Sequence, residues 1–305
     1  MLGKLMKYDM RYMARVLPWI YAGGLLISAL LCGVIFLIDN ELVLLFGVNF
    51  ASFLFIVAVE AVSICSTVFM IVRIYRNMYS DEGYLTFTLP VKTSEIVNSK
   101  IITGAIWTLI SYVVAALMVT GPVLTMIYKV PQIFGGEGVT PLQVLDYIIT
   151  FFVEIIRANS VRVITVIALV ALLAIVTLFY GPALYTFCAS ATHKAKKARV
   201  FASIGMFAGI SYGVGVVISV ISTIVNIFGF SDIDTYMQGG VSFSSHTDSI
   251  LPPVGGIEEF ASSLFSRQLD LAILMLLTVL LIYVAVTVFS WIMALRITDK
   301  KLNLN

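Results

Sequence analysis

The stretch "VRVITVIALVALLAIVTLFYGPALYTFCA", residues 161–189, decides the fold class. It contains a single charged residue, Arg162, and exceeds the roughly 20 mostly apolar residues that a helix needs to cross a membrane. Lipid offers no hydrogen-bond partner to backbone groups, so a run of this kind must be helical. Similar runs cover residues 17–38, 42–72, 101–127, 200–230 and 269–295. The sequence therefore predicts an all-α integral membrane protein with six transmembrane helices.

The composition agrees with a membrane protein and argues against several other classes. Of the 305 residues, 60% are hydrophobic and 12% are charged, about half the charged fraction of a soluble domain. Cys32, Cys65 and Cys188 lie singly in apolar runs, as core residues do, so we expect neither a disulfide framework nor a metal site. We interpret residues 1–305 as a single transmembrane domain.

The basic residues predict the orientation of the chain. All but four of the 19 Lys and Arg residues precede the first run, follow the last one, or lie in the loops after the second and fourth runs. The exceptions are Lys129, Arg157, Arg162 and Arg267. Because cytoplasmic loops carry the excess of basic residues, both termini are predicted to be cytoplasmic and the protein multi-pass.

The N-terminal segment, residues 1–15, has a helical charge pattern. One arc of the helical wheel carries Lys4, Lys7, Arg11 and Arg15, and the opposite side carries Leu2, Leu5, Met6 and Met13. This pattern favours an interfacial elbow helix lying on the inner leaflet, although Asp9 falls on the apolar side. The alternative is a plain basic anchor before the first span.

Two outer segments are longer than simple connections. In residues 128–160, one helical arc collects Gln143, Asp146, Thr150, Glu154 and Arg157, which predicts an interfacial helix from Pro141 onwards. Residues 231–268 are polar and contain glycines and a Pro-Pro pair. Their length suggests either a cover for an exit path or a partly mobile segment.

Catalytic motifs are scarce in this sequence. It contains no phosphate-binding G-x-x-x-x-G-K-[S/T], no H-E-x-x-H and no C-x-x-C. "GISYG", residues 209–213, matches the G-x-S-x-G of serine hydrolases but lies within a span. Neither His193 nor His246 lies in a span to serve as its base. We therefore interpret these small residues as allowing close helix packing.

Glu60 lies inside the second apolar run, where a carboxylate is costly. It could line a translocation path that accepts cationic groups, together with Asn49 on the same run. It could equally be a protonated carboxyl hydrogen-bonded between helices, or lie nearer the membrane interface. The residues leave these alternatives open.

The longest predicted cytoplasmic loop, residues 73–100, reads "RIYRNMYSDEGYLTFTLPVKTSEIVNSK". Acidic residues begin a short element, Asp81 to Leu89, and Pro90 ends it. A second helix is predicted to start at Thr93 or Ser94, with Glu95 following the cap. A short helix that exposes Tyr84, Leu85 and Phe87 is typical of protein docking. The alternative is a solvated turn whose aromatic side chains dip into the membrane surface.

The loop pattern resembles the loop between spans two and three of ABC-2-type permeases, the membrane subunits of bacterial ABC exporters. The residues that carry the resemblance are Glu82, Gly83, Leu85, Leu89-Pro90-Val91, Glu95-Ile96 and Lys100. The six-span topology with an N-terminal elbow is also similar. The commonest motif of the family is E-x-G-T-L-E. This sequence has Tyr84 in place of its Thr and Thr86 in place of its last Glu.

The resemblance implies that residues 79–92 form a coupling helix that contacts a separate cytosolic ATPase. The implied contact residues are Asp81, Glu82, Gly83, Tyr84, Leu85, Phe87, Leu89 and Pro90. It further implies a second permease copy, a homodimer in the bacterial cell membrane surrounded by lipid, and no nucleic-acid partner. This chain would be non-catalytic and hold no cofactor, with ATP and Mg²⁺ bound by the partner ATPase. We expect an amphipathic or hydrophobic substrate, first of all a toxin or antimicrobial peptide.

Two other classes of function are kept as alternatives. One is an ion- or proton-coupled secondary transporter that uses Glu60. The other is a non-transporting membrane partner, such as an assembly or sensor subunit.

Overall fold

The described part of the chain is helical almost throughout. The structure, a computed structural model, describes residues 2–37, 41–79, 83, 92–133, 143, 146, 149–150, 153, 157, 160–192, 199–240 and 254–302. The helices are α1 (Leu2–Met13), α2 (Leu17–Leu37), α3 (Glu41–Tyr79), α4 (Thr93–Ile133), α5 (Ser160–Thr192), α6 (Arg199–Gly240) and α7 (Val254–Leu302). Six of these seven, α2 to α7, are long and apolar enough to cross a membrane. The predicted all-α class and the six spanning helices are confirmed.

The helices on either side of the loop at residue 80 are longer than their apolar runs. α3 continues beyond residue 72 to Tyr79, and α4 begins at Thr93, well before residue 101. The predicted start at Thr93 is confirmed: Glu95 lies in the first turn, and its N–H donates to the carbonyl of Lys92 at 2.9 Å. α3 and α4 thus continue through the charged residues Arg73 and Lys100.

The chain divides into two compact units, of which the first comprises residues 1–150, 178–207 and 286–305. In this unit α2 packs against α3 and α4, and α1 packs against α4. The three helices meet closely at Gly24, where an added Cβ would lie 2.8 Å from Val62 and 2.9 Å from the sulfur of Met118. Ser28 on α2 donates a hydrogen bond to the Met118 carbonyl at 2.8 Å. Small and hydroxyl side chains thus allow close approach, as is typical between membrane helices.

Within the same unit, α4 packs closely against the last part of α5. A Cβ added at Gly104 would lie 2.8 Å from the side chain of Pro182, so this contact depends on the absence of a side chain at residue 104. Pro182 lies inside α5 and cannot donate a backbone hydrogen bond. One turn later, Thr186 donates to the Pro182 carbonyl at 2.8 Å.

The second unit comprises residues 151–177 and 208–285. Within it the start of α5 is tied to α7, because Arg162 Nε donates to Asp270 Oδ1 at 2.8 Å. In the most apolar stretch of α6 no residue is buried within the described part of the chain.

The predicted interfacial helix falls mostly outside the described residues. Gln143, Asp146, Thr150 and Arg157 are described, helical and exposed, as are the apolar Ile149 and Val153, and Glu154 is not described, so the predicted arc stays a prediction. In the other outer segment, α6 extends to Gly240 and α7 begins at Val254. The described ends of this segment are therefore continuations of spanning helices.

Candidate functional site

The predicted ATPase-coupling residues lie almost entirely outside the described residues. This applies to Asp81, Glu82, Tyr84, Leu85, Phe87, Leu89 and Pro90. Gly83 is described and buried, and a Cβ added to it would lie 2.5 Å from the backbone oxygen of Met78. Any side chain at residue 83 would force the backbone to move. The glycine is thus required by its close approach to the end of α3.

The two helices that flank this segment reach beyond the membrane thickness. α3 has 39 residues and α4 has 41, which corresponds to roughly 60 Å each at 1.5 Å per residue. A hydrocarbon core is roughly 30 Å thick. The two helices can therefore extend beyond the hydrocarbon core, and we call the end of α3 and the start of α4 the two stems.

A buried ionic cluster ties both stems to α1. Asp9 on α1 is 3% exposed, and one of its carboxylate oxygens accepts a hydrogen bond from Lys100 Nζ on α4 at 2.5 Å. The other oxygen lies 4.0 Å from Arg73 Nη2 on α3. Lys100 is itself 4% exposed. We call Asp9, Arg73 and Lys100 the stem cluster. A buried charge needs a partner, so the cluster holds the three helices in one arrangement.

Aromatic side chains complete the packing around Arg73. Its guanidinium carbon lies 3.6 Å from the centroid of the Tyr12 ring, a cation–π contact between α3 and α1. Tyr12 in turn stacks on Phe69, with ring centroids 6.5 Å apart. The basic face of α1 points away from this packing, because Lys4, Lys7 and Arg11 are all exposed.

The stem cluster explains the irregularity at Asp9 in the predicted amphipathic helix. The side of α1 that carries Asp9 and Met13 packs against protein, and Asp9 supplies the counter-charge for two basic residues. The sequence interpretation used Arg73 as an orientation signal and Lys100 as an orientation signal and part of the loop pattern, and it missed this role. The sequence did contain a signal for this role, because Asp9 is an acidic residue on the apolar side of a basic helix.

A second polar network holds the last residue of α3. The hydroxyl of Tyr79 donates to Ser190 on α5 at 2.6 Å and lies 3.2 Å from the hydroxyl of Thr298 on α7. Ser190 donates to the carbonyl of Thr186 at 2.8 Å, and Thr298 to that of Ala294 at 2.7 Å. Tyr79, Ser190 and Thr298 are buried. The start of the predicted coupling segment is thus joined to two further helices of the same unit.

Glu60 lies far from the stem cluster along α3. It precedes Arg73 by 13 residues, about 20 Å along a helix. The residue is exposed and shares one face of α3 with Phe53, Ile56, Val57 and Ile64, all of which are exposed too. Glu60 is therefore not enclosed between helices in the described part of the chain, and its role stays a prediction. Asn49 belongs to α3 as well, and its side chain lies outside the described residues.

The glycines of "GISYG" do not pack as the sequence interpretation expected. A Cβ added at Gly209 or Gly213 would meet no atom within 4 Å in the described part of the chain, and the same holds for Gly205. The three glycines are exposed and recur every four residues on α6. The expected close packing is therefore not formed among the described residues. The spacing that includes Gly205, a repeated G-x-x-x-G, is a signal that the sequence interpretation missed.

Comparison with known proteins gives no match: no protein-family model fits the chain, and no curated protein or solved structure is significantly similar to it. Among the described residues, no group of three or more His, Cys, Asp or Glu side chains could hold a metal ion.

Proposed function

We propose that this protein is the membrane subunit of an ATP-driven exporter of the ABC-2 type. The observation that carries the proposal is the way in which the two stems of residues 80–92 are held. Arg73 and Tyr79 at the end of α3, and Lys100 at the start of α4, are fixed by buried polar contacts. The segment between them has the pattern of a coupling helix.

A rigid base is what a coupling helix needs in order to work. A push on residues 80–92 can reach the spans only if the stems do not bend under it. The contacts of the stem cluster would transmit a force on residues 80–92 to α1 and α4. The hydrogen bonds of Tyr79 would transmit it to the ends of α5 and α7. Rigid-body rearrangement of packed helices is a common form of switching in proteins. ATP and Mg²⁺ would be bound by the cytosolic partner, and this chain would respond mechanically.

The glycine stripe of α6 supports a second copy of the chain. Gly205, Gly209 and Gly213 offer an exposed face on which another helix backbone can approach closely. Repeated G-x-x-x-G spacing is a known dimerisation pattern of spanning helices. A homodimer that meets along α6 would bury this face.

Glu60 supports a translocation path with an amphipathic substrate. An exposed carboxylate within the spanning part of α3 costs about 2.5–3.5 kcal/mol in contact with lipid. In a water-filled path between two copies it would avoid this cost and would attract cationic groups. The neighbouring Phe53, Ile56 and Val57 would contact apolar groups. This combination suits a cationic amphipathic peptide.

We expect a neighbouring gene to encode an ABC ATPase, and co-expression of that ATPase with this chain tests the proposal. We expect the two to co-purify, and Tyr84→Glu to abolish the complex because it places a charge in the docking element. Tyr8→Glu is the matched control, since Tyr8 is 71% exposed on α1. Binding without substrate-stimulated ATP hydrolysis would favour a non-transporting partner. Failure of the wild-type chains to associate would refute the proposal.

The exposed Glu60 also favours a second candidate, a proton-coupled secondary transporter. That protein would need no ATPase and would move substrate in proteoliposomes under a proton gradient alone. Glu60→Gln would stop such transport entirely. In the exporter, we expect Glu60→Gln to leave ATPase binding intact and to weaken only the transport of cationic substrates. Transport without ATP by the purified chain would decide for the secondary transporter.

A further inference from the structure

A cavity of about 310 Å³ lies between α4, α5 and α7 in the first unit. Its lining includes Asn98 and Ile101 from α4, Phe179 and Ala183 from α5, and Val288 and Trp291 from α7. Nearly all of this surface is apolar, and the cavity opens to the side of the helices. We call it the lateral groove.

The lateral groove has a buried floor and an exposed rim. Ala183 is 1% exposed, whereas Val288 is 45% exposed and Phe179 and Trp291 are exposed as well. A polar contact closes one end, because Trp291 Nε1 donates to Asn98 Oδ1 at 2.9 Å. This contact ties α7 to α4 beside the opening and gives the groove a defined shape.

The position of the lateral groove along the helices corresponds to one membrane leaflet. Asn98 follows Thr93 by five residues, about 8 Å, and Trp291 precedes Asp299 by eight residues, about 12 Å. At the other end, Phe179 precedes Thr192 by 13 residues, about 20 Å. One leaflet of hydrocarbon is about 15 Å thick, half of a roughly 30 Å core. Asn98 lies just before the apolar run that begins at residue 101, whereas Phe179 and Val288 lie inside apolar runs, so the groove extends from near the headgroup level into the acyl region.

The residues beyond the polar end are charged with both signs. Lys92 and Arg296 are exposed there, as is Asp299, and Glu95 is half-buried. Such an end accepts a hydrated headgroup without selecting one sign of charge. Trp291 suits the same level, since tryptophan is enriched where hydrocarbon meets headgroups.

We propose that the lateral groove binds one acyl chain of a membrane phospholipid in the leaflet at which α4 begins and α7 ends. The chain lies over Ala183 between Phe179 and Val288, and the headgroup stays at the level of Asn98 and Trp291. This inference does not depend on the proposed transport function. It concerns a bound lipid that helps to fill the space between α4, α5 and α7.

The test uses the full chain in phosphatidylcholine vesicles that contain a trace of phosphatidylcholine with a photoreactive acyl chain. After irradiation, mass spectrometry of peptides locates the labelled residues. We expect labelling at or next to Ala183, which is reached only by a chain inside the groove. Absence of label there, for example because a second copy covers the opening, would overturn the proposal.

A pair of variants separates groove binding from general lipid contact. Val288→Trp fills the opening, and Ile292→Trp adds the same side chain on α7 at a residue that is 38% exposed and does not line the groove. Each buried methylene contributes roughly fourfold to affinity, so excluding two or more lowers labelling near Ala183 on the order of tenfold. Ile292→Trp should leave it unchanged. Equal labelling in the two variants would refute the proposal, and retained helical circular dichroism shows that both are folded.

Discussion

Removal of the Asp9 carboxylate is expected to destabilise the protein strongly although it deletes no apolar contact. In Asp9→Asn, Lys100 loses a partner at 2.5 Å while remaining 4% exposed, and Arg73 loses its charge partner at 4.0 Å. Breaking a buried ion pair from one side typically costs about 3–5 kcal/mol. We expect about 3 kcal/mol, the lower end of that range. Both cations keep further contacts, among them the stacking of Arg73 on Tyr12.

A second substitution distinguishes charge pairing from a loss of packing. Replacing both partners of a buried pair by apolar residues of similar size is often neutral. Asp9→Leu combined with Lys100→Met should therefore be more stable than Asp9→Leu alone, because no unpaired Lys100 remains, although Arg73 still lacks its charge partner. The coupling free energy in this double-mutant cycle should be about 2–3 kcal/mol. Lys7→Met is the control, because Lys7 is exposed on the same helix and should change stability by less than about 0.5 kcal/mol.

The assay is equilibrium unfolding of the purified chain in mixed micelles with increasing SDS, followed by helical circular dichroism and tryptophan fluorescence. The free energy of unfolding is compared among wild type, the single variants and the double variant. If Asp9→Asn unfolds within about 0.5 kcal/mol of wild type, the stem cluster does not hold the helices. If the double variant is no more stable than the worse single one, the loss is not due to an unpaired charge.

Two further predictions concern glycines. Gly209→Leu should abolish association of two copies, because the larger side chain blocks the exposed glycine face of α6. The monomer should stay folded, because a Cβ added at Gly209 meets no atom within 4 Å in the described part of the chain. Light scattering in detergent measures the mass of the protein and so shows whether it is a dimer. Gly33→Leu on α2, equally open within the described residues, is its control, and a dimer that survives Gly209→Leu would exclude the α6 face. Gly83→Ala should cost about 1–3 kcal/mol in unfolding free energy, because its Cβ would lie 2.5 Å from the Met78 oxygen. Gly3→Ala, in open space on α1, should have no such cost, and equal stability of the two variants would contradict the close approach at Gly83.

The amino-acid sequence by itself determined the all-α class, the six spanning helices and the start of α4 at Thr93. These features depend on local composition. The length of an apolar run predicts whether a helix can cross the lipid bilayer. A capping residue followed by Glu95 predicts where α4 begins. Helix ends were predicted less well where charged residues continue a helix, because the apolar count stops at Arg73 while α3 runs on to Tyr79.

Only the tertiary structure decided how the polar residues are used. Asp9 and Lys100 are 91 residues apart in the chain, and Tyr79 and Thr298 are 219 apart, so no local periodicity could pair them. The lateral groove could not be predicted either, because the residues that line it come from three helices far apart in sequence. The sequence also could not predict that Glu60 is exposed, because the same apolar run can face lipid, another helix or a translocation path. The energy of a charge in a membrane is set by its neighbours in space, and these become known only when the helices pack.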